Sequence, residues 1–215
     1  MIPAVTIDGP SGSGKGTIGK ILAKKLKFHY LDSGAIYRIL AFAAIDQNIN
    51  INDDAALVKC ANELKIAFIN SAIKLNNIDI TTKIRTEECG VMASKIARIP
   101  VVRDTLLRLQ KNFRKAPGLV ADGRDMGTVV FPDAKLKIFL TASAEERAKR
   151  RFLQLKEQNL SGDLPTILKE IKARDKRDAE RKVAPLKPAK DAHIIDTTYM
   201  TIEEVVTKIL EINEF

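Results

Sequence analysis

The chain has 215 residues, 45% of them hydrophobic and 29% charged, enough for one sizeable core with a small appended lobe but hardly for a second full domain. No apolar run of about 18 residues occurs, which excludes a helical membrane span, and two cysteines (Cys60, Cys89) with two histidines (His29, His193) are too scattered for a disulfide framework or a metal-finger spacing. The net charge of +9 calls for an anionic partner, with phosphate, nucleotide and nucleic acid all open on that ground.

In chain order, Ala4, Val5, Thr6 and Ile7 form a short apolar run that stops at Asp8-Gly9-Pro10, which predicts a buried strand entering a glycine-rich turn. The start of the chain lacks the basic and apolar regions of a secretory signal, so a cytoplasmic location is expected. From Lys15, apolar Ile18, Ile21, Leu22 and Leu26 recur at the spacing of one buried helix face. A second helix is expected after Asp32 and Ser33, either of which can cap it, running through Ile36, Ile39, Leu40 and Ala43 and ending before the polar stretch 48–54. Short β-prone pieces at 66–69, 73–75 and 78–80 are split by Asn70-Ser71 and Asn76-Asn77, which predicts a small antiparallel insert. Helices are expected over 86–98 and 101–114, parted by Pro100. Two more core strands fall at 119–121 and 136–140, and Ser143 with Glu146 offers a capping box for a helix reaching about 157. A polar connection at 159–163 leads to Pro165 in the first turn of a charged helix reaching about 182; 193–196 reads as the last strand, and Thr201 and Glu204 cap the last helix. Strands alternating with helices predict a parallel, doubly wound α/β sheet flanked by helices, with ligands at the carboxyl ends of the strands.

The segment Gly9-Pro10-Ser11-Gly12-Ser13-Gly14-Lys15 matches G-x-x-x-x-G-K and stands between a predicted strand and a predicted helix start. Glycines let backbone N–H groups turn inward onto phosphate oxygens, the helix N-terminus adds the positive end of its dipole, and a lysine here reaches the β- and γ-phosphates. ATP is therefore the expected donor, held by this loop together with Gly16 and Thr17. Lys15 is followed by Gly16, and the hydroxyl comes one place later at Thr17. No protein metal ligand is expected on that account, and Mg2+ would be held mainly by ATP oxygens and water. The Gly-Lys-Gly-Thr form resembles the loop of nucleoside monophosphate kinases, without choosing among their acceptors.

An acceptor that is itself a phosphate monoester has a second pKa of about 6 and is already anionic at pH 7. It needs arginines rather than a general base, because guanidinium forks hold two phosphate oxygens at once and stay charged. Arg38, Arg103, Arg124, Arg174 and Arg181 are candidates. Arg174, Asp178 and Arg181 are spaced to share one face of the charged helix; spacing alone reads them as a solvated salt-bridge ladder. Asp122-Gly123-Arg124-Asp125 puts two carboxylates and an arginine at the end of a strand, with a tight acidic turn as the plain alternative. The stretch 147–182 carries 12 basic and 6 acidic residues, a surplus of +6.

Taken as a set, GPSGSGKGT at 9–17, LDSGAIYR at 31–38, DGRDMGTVVFPD at 122–133 and RDKRDAERKVAPLKPA at 174–189 closely resemble the bacterial cytidylate kinase family, and the resemblance extends over essentially the whole chain. It implies a P-loop kinase that transfers the γ-phosphoryl group of ATP to the 5'-phosphate of CMP or dCMP in pyrimidine nucleotide metabolism. One kinase domain over 1–215 is expected, with an acceptor-binding lobe at 33–115 that contains the hairpin insert near 65–81, and a lid with the charged helix at 157–182. By resemblance, Ser33 and Arg38 are acceptor-site residues, and Ser94, Arg103 and Asp125 read the cytosine. Arg174 and Asp178 bind the ribose, while Arg124 and Arg181 contact phosphate. Lys15, Arg124 and Arg181 are the expected catalytic residues, and Arg147, Arg150 and Arg151 are candidates to close over ATP. The family implies a monomer acting on small nucleotides, without nucleic acid or membrane as partner. Two rivals stay open on the residues alone: a P-loop kinase for another small acceptor, and a nucleotide-dependent nucleic-acid-binding protein. The second is disfavoured by the absence of tryptophan and the 5% aromatic content, which leave few stacking platforms.

Overall fold

A computed structural model describes residues 1–69, 72–157 and 161–212. The chain divides into two compact units, one formed by residues 1–32 with 113–215 and the other by residues 33–112.

The first unit is built on β1 (Ala4–Asp8), whose five residues are all buried. That burial is why it reads as an unbroken apolar run rather than an alternating one. The sheet has five strands in the order β2 (His29–Asp32), β6 (Leu119–Gly123), β1, β7 (Leu136–Thr141), β8 (His193–Asp196), and every pairing is parallel. With β1 at the centre, its carboxyl end is flanked by those of its neighbours: Asp8 stands in register with Gly123 on one side and Phe139 on the other. Helix α1 (Lys15–Leu26) and α8 (Ile202–Ile212) bury Ile18, Leu22, Val205, Val206 and Ile209 against Val5, Ile7, Val120, Ile138 and Ile195. Each such side chain contributes about 1.5–3 kcal/mol on full burial. The cap of α8 is a complete box, with Glu204 N donating to Thr201 Oγ1 and Thr201 N to the Glu204 carboxylate. At α6 (Ala144–Glu157) only half of the predicted box forms. Ser143 Oγ accepts from Glu146 N, but Ser143 N donates to Thr198 Oγ1 and the Glu146 carboxylate accepts from Arg150 instead.

Helix α7 (Leu164–Glu180) opens on Asp163, which accepts from Thr166 N, with proline in the first turn. It ends one residue before Arg181, whose backbone is extended. Leu186 N takes the carbonyl of Asp178, so the chain folds back on the helix end and Arg181 lies off the helical face that its spacing predicts. Residues 159 and 160 of the expected polar connection lie outside the described residues.

The second unit holds α2 (Ser33–Asp46), α3 (Asp54–Glu63), α4 (Glu87–Ile96), α5 (Pro100–Lys111) and an antiparallel sheet of β3 (Ile66–Ile69), β4 (Ala72–Leu75) and β5 (Ile78–Asp79). Asn70 and Ser71, read as a turn, lie outside the described residues; Asn76 and Asn77 have φ of 51° and 67°, as a type I′ turn requires. Pro100 is the first residue of α5, and Ile99 before it is extended, which is the break that the proline imposes. Strand β2 and helix α3 were not anticipated. In β2 only Leu31 is buried, and in α3 only Leu57, Cys60 and Ala61, too few for a clear period. Among the described residues no helix is long and apolar enough to cross a membrane.

Lys172 of α7 pairs with Glu145 of α6 at 3.0 Å on the exposed side, and a buried ion pair also joins the two helices. Arg147, 5% exposed, meets Asp175 through both guanidinium nitrogens, at 3.0 and 2.7 Å. Breaking such a pair strands a buried charge. In a thermodynamic cycle of Arg147→Met, Asp175→Asn and the double variant, each single change should be destabilising, with a coupling energy of about 1–3 kcal/mol. Additive effects in urea denaturation would show that the pair contributes nothing as a pair.

Candidate active site

The loop after β1 owes its path to Gly9, at φ +154°: a Cβ there would stand 2.1 Å from the carbonyl oxygen of Leu140. Only a glycine lets the chain turn this close to β7. The loop is fastened from behind. Arg147 donates to Ser11 O at 3.2 Å and Ala142 O at 2.9 Å. Thr197 Oγ1 donates to Ser13 O at 3.3 Å and is itself held by Arg150 at 3.1 Å. Both arginines therefore sit under the loop, and Arg151 donates to Gln154. In front, Lys15 at the start of α1 donates to Pro10 O at 2.9 Å, so its ammonium lies folded onto the loop that it follows.

Beneath Lys15 lies a group of carboxylates that local spacing did not reveal. Asp32 and Asp122 are register partners at the ends of β2 and β6, and Tyr30 donates to Asp122 Oδ2 at 2.6 Å. Burial pushes the Asp122 carboxyl up to about 7; Asp32 adds to the rise, while Lys15, Tyr30 and Arg124 oppose it. Burial pulls the Lys15 ammonium down to about 7, helped by Arg124 and Arg174 and opposed by Asp122 and Asp32.

Four further predicted residues gather in the same unit. Arg124 Nε donates to Asp178 Oδ2 at 2.8 Å, and Arg181 approaches Asp125 Oδ1 at 3.9 Å and donates from Nε to Ala184 O. Burial raises the Asp178 carboxyl, but Arg124, Arg174 and Arg181 together outweigh it and hold the group below the ordinary carboxylate range. Asp125, Asp178 and Arg181 are all buried. Buried charges of this kind need partners, and α7 with the residue that follows it provides them from across the unit.

Arg174 of α7 belongs to the first unit as well, and Ser33, Arg38, Ser94 and Arg103 belong to the second. Ser33 is the first, buried residue of α2. Arg38 donates to Ile84 O at 2.8 Å and Thr86 O at 3.1 Å and lies against α4 at Gly90, where a Cβ would come within 2.7 Å of its guanidinium. Ser94, one helical turn on, is buried, and its Oγ has no hydrogen-bond partner among the described residues. Arg103 is 7% exposed, donates to Ala97 O at 3.2 Å and places its guanidinium 5.9 Å from the centre of the Tyr37 ring.

Sequence reasoning missed Asp32 and Tyr30 as parts of the Lys15 environment, Thr197 and Asp175 as supports of the loop, and the partner of Asp8. The Lys15 group could have been found by asking which polar residues end the strands beside β1.

The family model described as cytidylate kinase matches residues 5–214. The cytidylate kinase of Stutzerimonas stutzeri is 55% identical over 215 aligned residues, covering 97% of this chain and 94% of that protein. The cytidylate kinase of Aeromonas hydrophila is 54% identical over 214, covering 98% and 93%. Among solved structures, a gluconokinase from Sinorhizobium meliloti superposes with a TM-score of 0.50 at 13% identity, covering 98% of this chain and 90% of that one, which shows a shared fold. Sequence identity above one half along nearly the whole length carries more than fold, and the chain belongs to the cytidylate kinase family.

Proposed function

We propose that this chain transfers the γ-phosphoryl group of ATP in line to the 5'-phosphate of CMP or dCMP, giving ADP and CDP or dCDP, through the residues described above. The observation that carries the assignment of residues is that one unit gathers a lysine-bearing phosphate loop with paired arginines and carboxylates at the ends of β1 and β6. Lys15 and the loop amides hold the donor phosphates, and Arg124 and Arg181 meet the charge on the transferring group. The acceptor phosphate is already anionic, so positioning and charge stabilisation suffice. Residues 33–115 serve as the acceptor-binding lobe, with Arg38 on the acceptor phosphate and Ser33 beside it, and 157–182 serves as lid and charged helix.

Cytosine offers a donor amino group beside acceptor ring nitrogen and carbonyl. Asp125 accepts from the amino group, while Arg103 and Ser94 meet the acceptors; the buried Ser94 hydroxyl, without a partner among the described residues, supports this role. Uracil would set an acceptor against Asp125. Arg174 and Asp178 take the ribose. Gly16 offers no hydroxyl, and the carboxylate beside it, Asp122, already accepts from Tyr30. These residues fit a Mg2+ ion that arrives with ATP and is held by phosphate oxygens and water. When bound, the ion neutralises charge on the β- and γ-phosphates. The enzyme acts on free nucleotides in the cytoplasm as a monomer, without nucleic acid or membrane as partner.

In Asp125→Ala the preference for CMP over UMP, measured as the ratio of kcat/KM, should fall by about 1–3 kcal/mol; an unchanged ratio removes Asp125 from base reading. Lys15 gives a second test. Burial and the neighbouring arginines lower its pKa, and phosphate oxygens favour its charged form, so ATP binding raises the pKa and draws in protons. Calorimetry at pH 8 in buffers of different ionisation enthalpy should show net proton uptake on ATP binding, lost in Lys15→Met. Equal uptake in both proteins would place the proton elsewhere.

A further inference from the structure

β1 ends on a carboxylate for which the phosphate loop has no use. Asp8 is 4% exposed, and its two oxygens accept from two successive amides: Met126 N reaches Oδ1 and Gly127 N reaches Oδ2, each at 2.8 Å. These amides open a π-type turn, Met126–Val130, that follows Asp125 directly. The carbonyl of Asp125 accepts from Val129 N at 2.9 Å and Val130 N at 3.2 Å. The backbone of Asp125 itself, at φ −149° and ψ 24°, belongs to neither helix nor strand, so the regular ladders do not hold it. It is held by what comes after it.

The clamp closes only because residue 127 is glycine. A Cβ there would stand 2.9 Å from Thr6 Oγ1 and 3.4 Å from Asp8 Oδ2. A buried anion is a costly way to satisfy two amides. Burial pushes the Asp8 carboxyl up to about 6, against the pull of the Gly127 and Met126 amides, with Asp125 raising it further and Arg124 lowering it. Lys137 of β7 packs against Gly127 as well, but its ammonium meets Asp191 at 2.6 Å. Asp125 and Arg124 are therefore the charged neighbours that bear on Asp8 directly. Asparagine would fill the same volume without charge, but it has one acceptor where the turn presents two donors.

We propose that Asp8 is a positioning residue for acceptor selection: by clamping Met126 and Gly127 it fixes the direction in which Asp125 presents its carboxylate to the acceptor base. The proposal rests on the assignment of Asp125 as a base-reading residue. It links the strand that carries the donor loop to the segment that reads the acceptor, within one unit of the chain.

The test is the ratio of kcat/KM for CMP to that for UMP, at saturating ATP, from pH 5.5 to 8. Both acceptors carry the same phosphate, so its ionisation cancels in the ratio. In the wild type the ratio should fall severalfold below pH 6, where Asp8 gains a proton and loses one amide. Asp8→Asn, a mimic of the protonated form, should lower the ratio at pH 7.5 by about fivefold or more, flatten its pH dependence and leave KM for ATP within about threefold. Gly127→Ala, which opens the clamp from the amide side, should lower the ratio in the same way. A wild-type preference that is flat with pH and survives both substitutions overturns the clamp while leaving the base-reading assignment intact. A wild type without preference between CMP and UMP overturns both.

Discussion

A strand buried on both faces has to deliver free amide groups to a phosphate, and the first unit is arranged around that requirement. β1 lies between β6 and β7 in a wholly parallel sheet, so the loop leaving it has protein on each side and beneath. Such a loop cannot satisfy its own backbone groups, because its amides must stay available. Its carbonyls are instead taken from behind, Ser11 O by Arg147 and Ser13 O by Thr197, while Pro10 O receives Lys15. Preorganised amides of this kind need no rearrangement when the anion arrives.

The second consequence is electrostatic. Lys15, Arg124 and Arg174 repel one another, and this repulsion, after burial, is what lowers the lysine. Asp122 and Asp32 offset part of it, and the pairs Arg124–Asp178 and Arg181–Asp125 tie down much of the remaining positive charge. The arrangement holds Lys15 and the arginines in a low-dielectric setting where phosphate oxygens are strong partners for them. Acidic side chains inside a phosphate-binding unit are thus not a contradiction. They keep the arginines oriented and limit the cost of assembling them.

Much of this was legible in the sequence, and the reasons differ from element to element. β1, β6 and β7 are short apolar runs because both faces of the sheet are covered, and α1 and α8 carry clear periodicity, so each declared itself locally. β2 and α3 each bury few residues, so periodicity had little to register. The loop was visible because its chemistry needs glycines and a lysine at fixed spacing. The Asp8 clamp was not, since it joins residues 118 and 119 positions apart through backbone amides that have no sequence signature. Arg147 is a candidate to close over ATP from its place on the helix that leads into the expected lid; its burial against Asp175 and Ser11 depends on two segments distant in the chain. Arg181 departs from its helical spacing because Leu186 ends the helix from outside.

The central claim is that donor loop and paired arginines serve a cytidine monophosphate. Its most direct measurement is the initial rate of ADP release with ATP, Mg2+ and, in turn, CMP, dCMP, UMP and AMP. Preference for CMP and dCMP over AMP and UMP by roughly tenfold or more in kcat/KM is the predicted result. Equal use of all four, or preference for AMP, would leave a phosphate-loop kinase standing and contradict the cytosine readout.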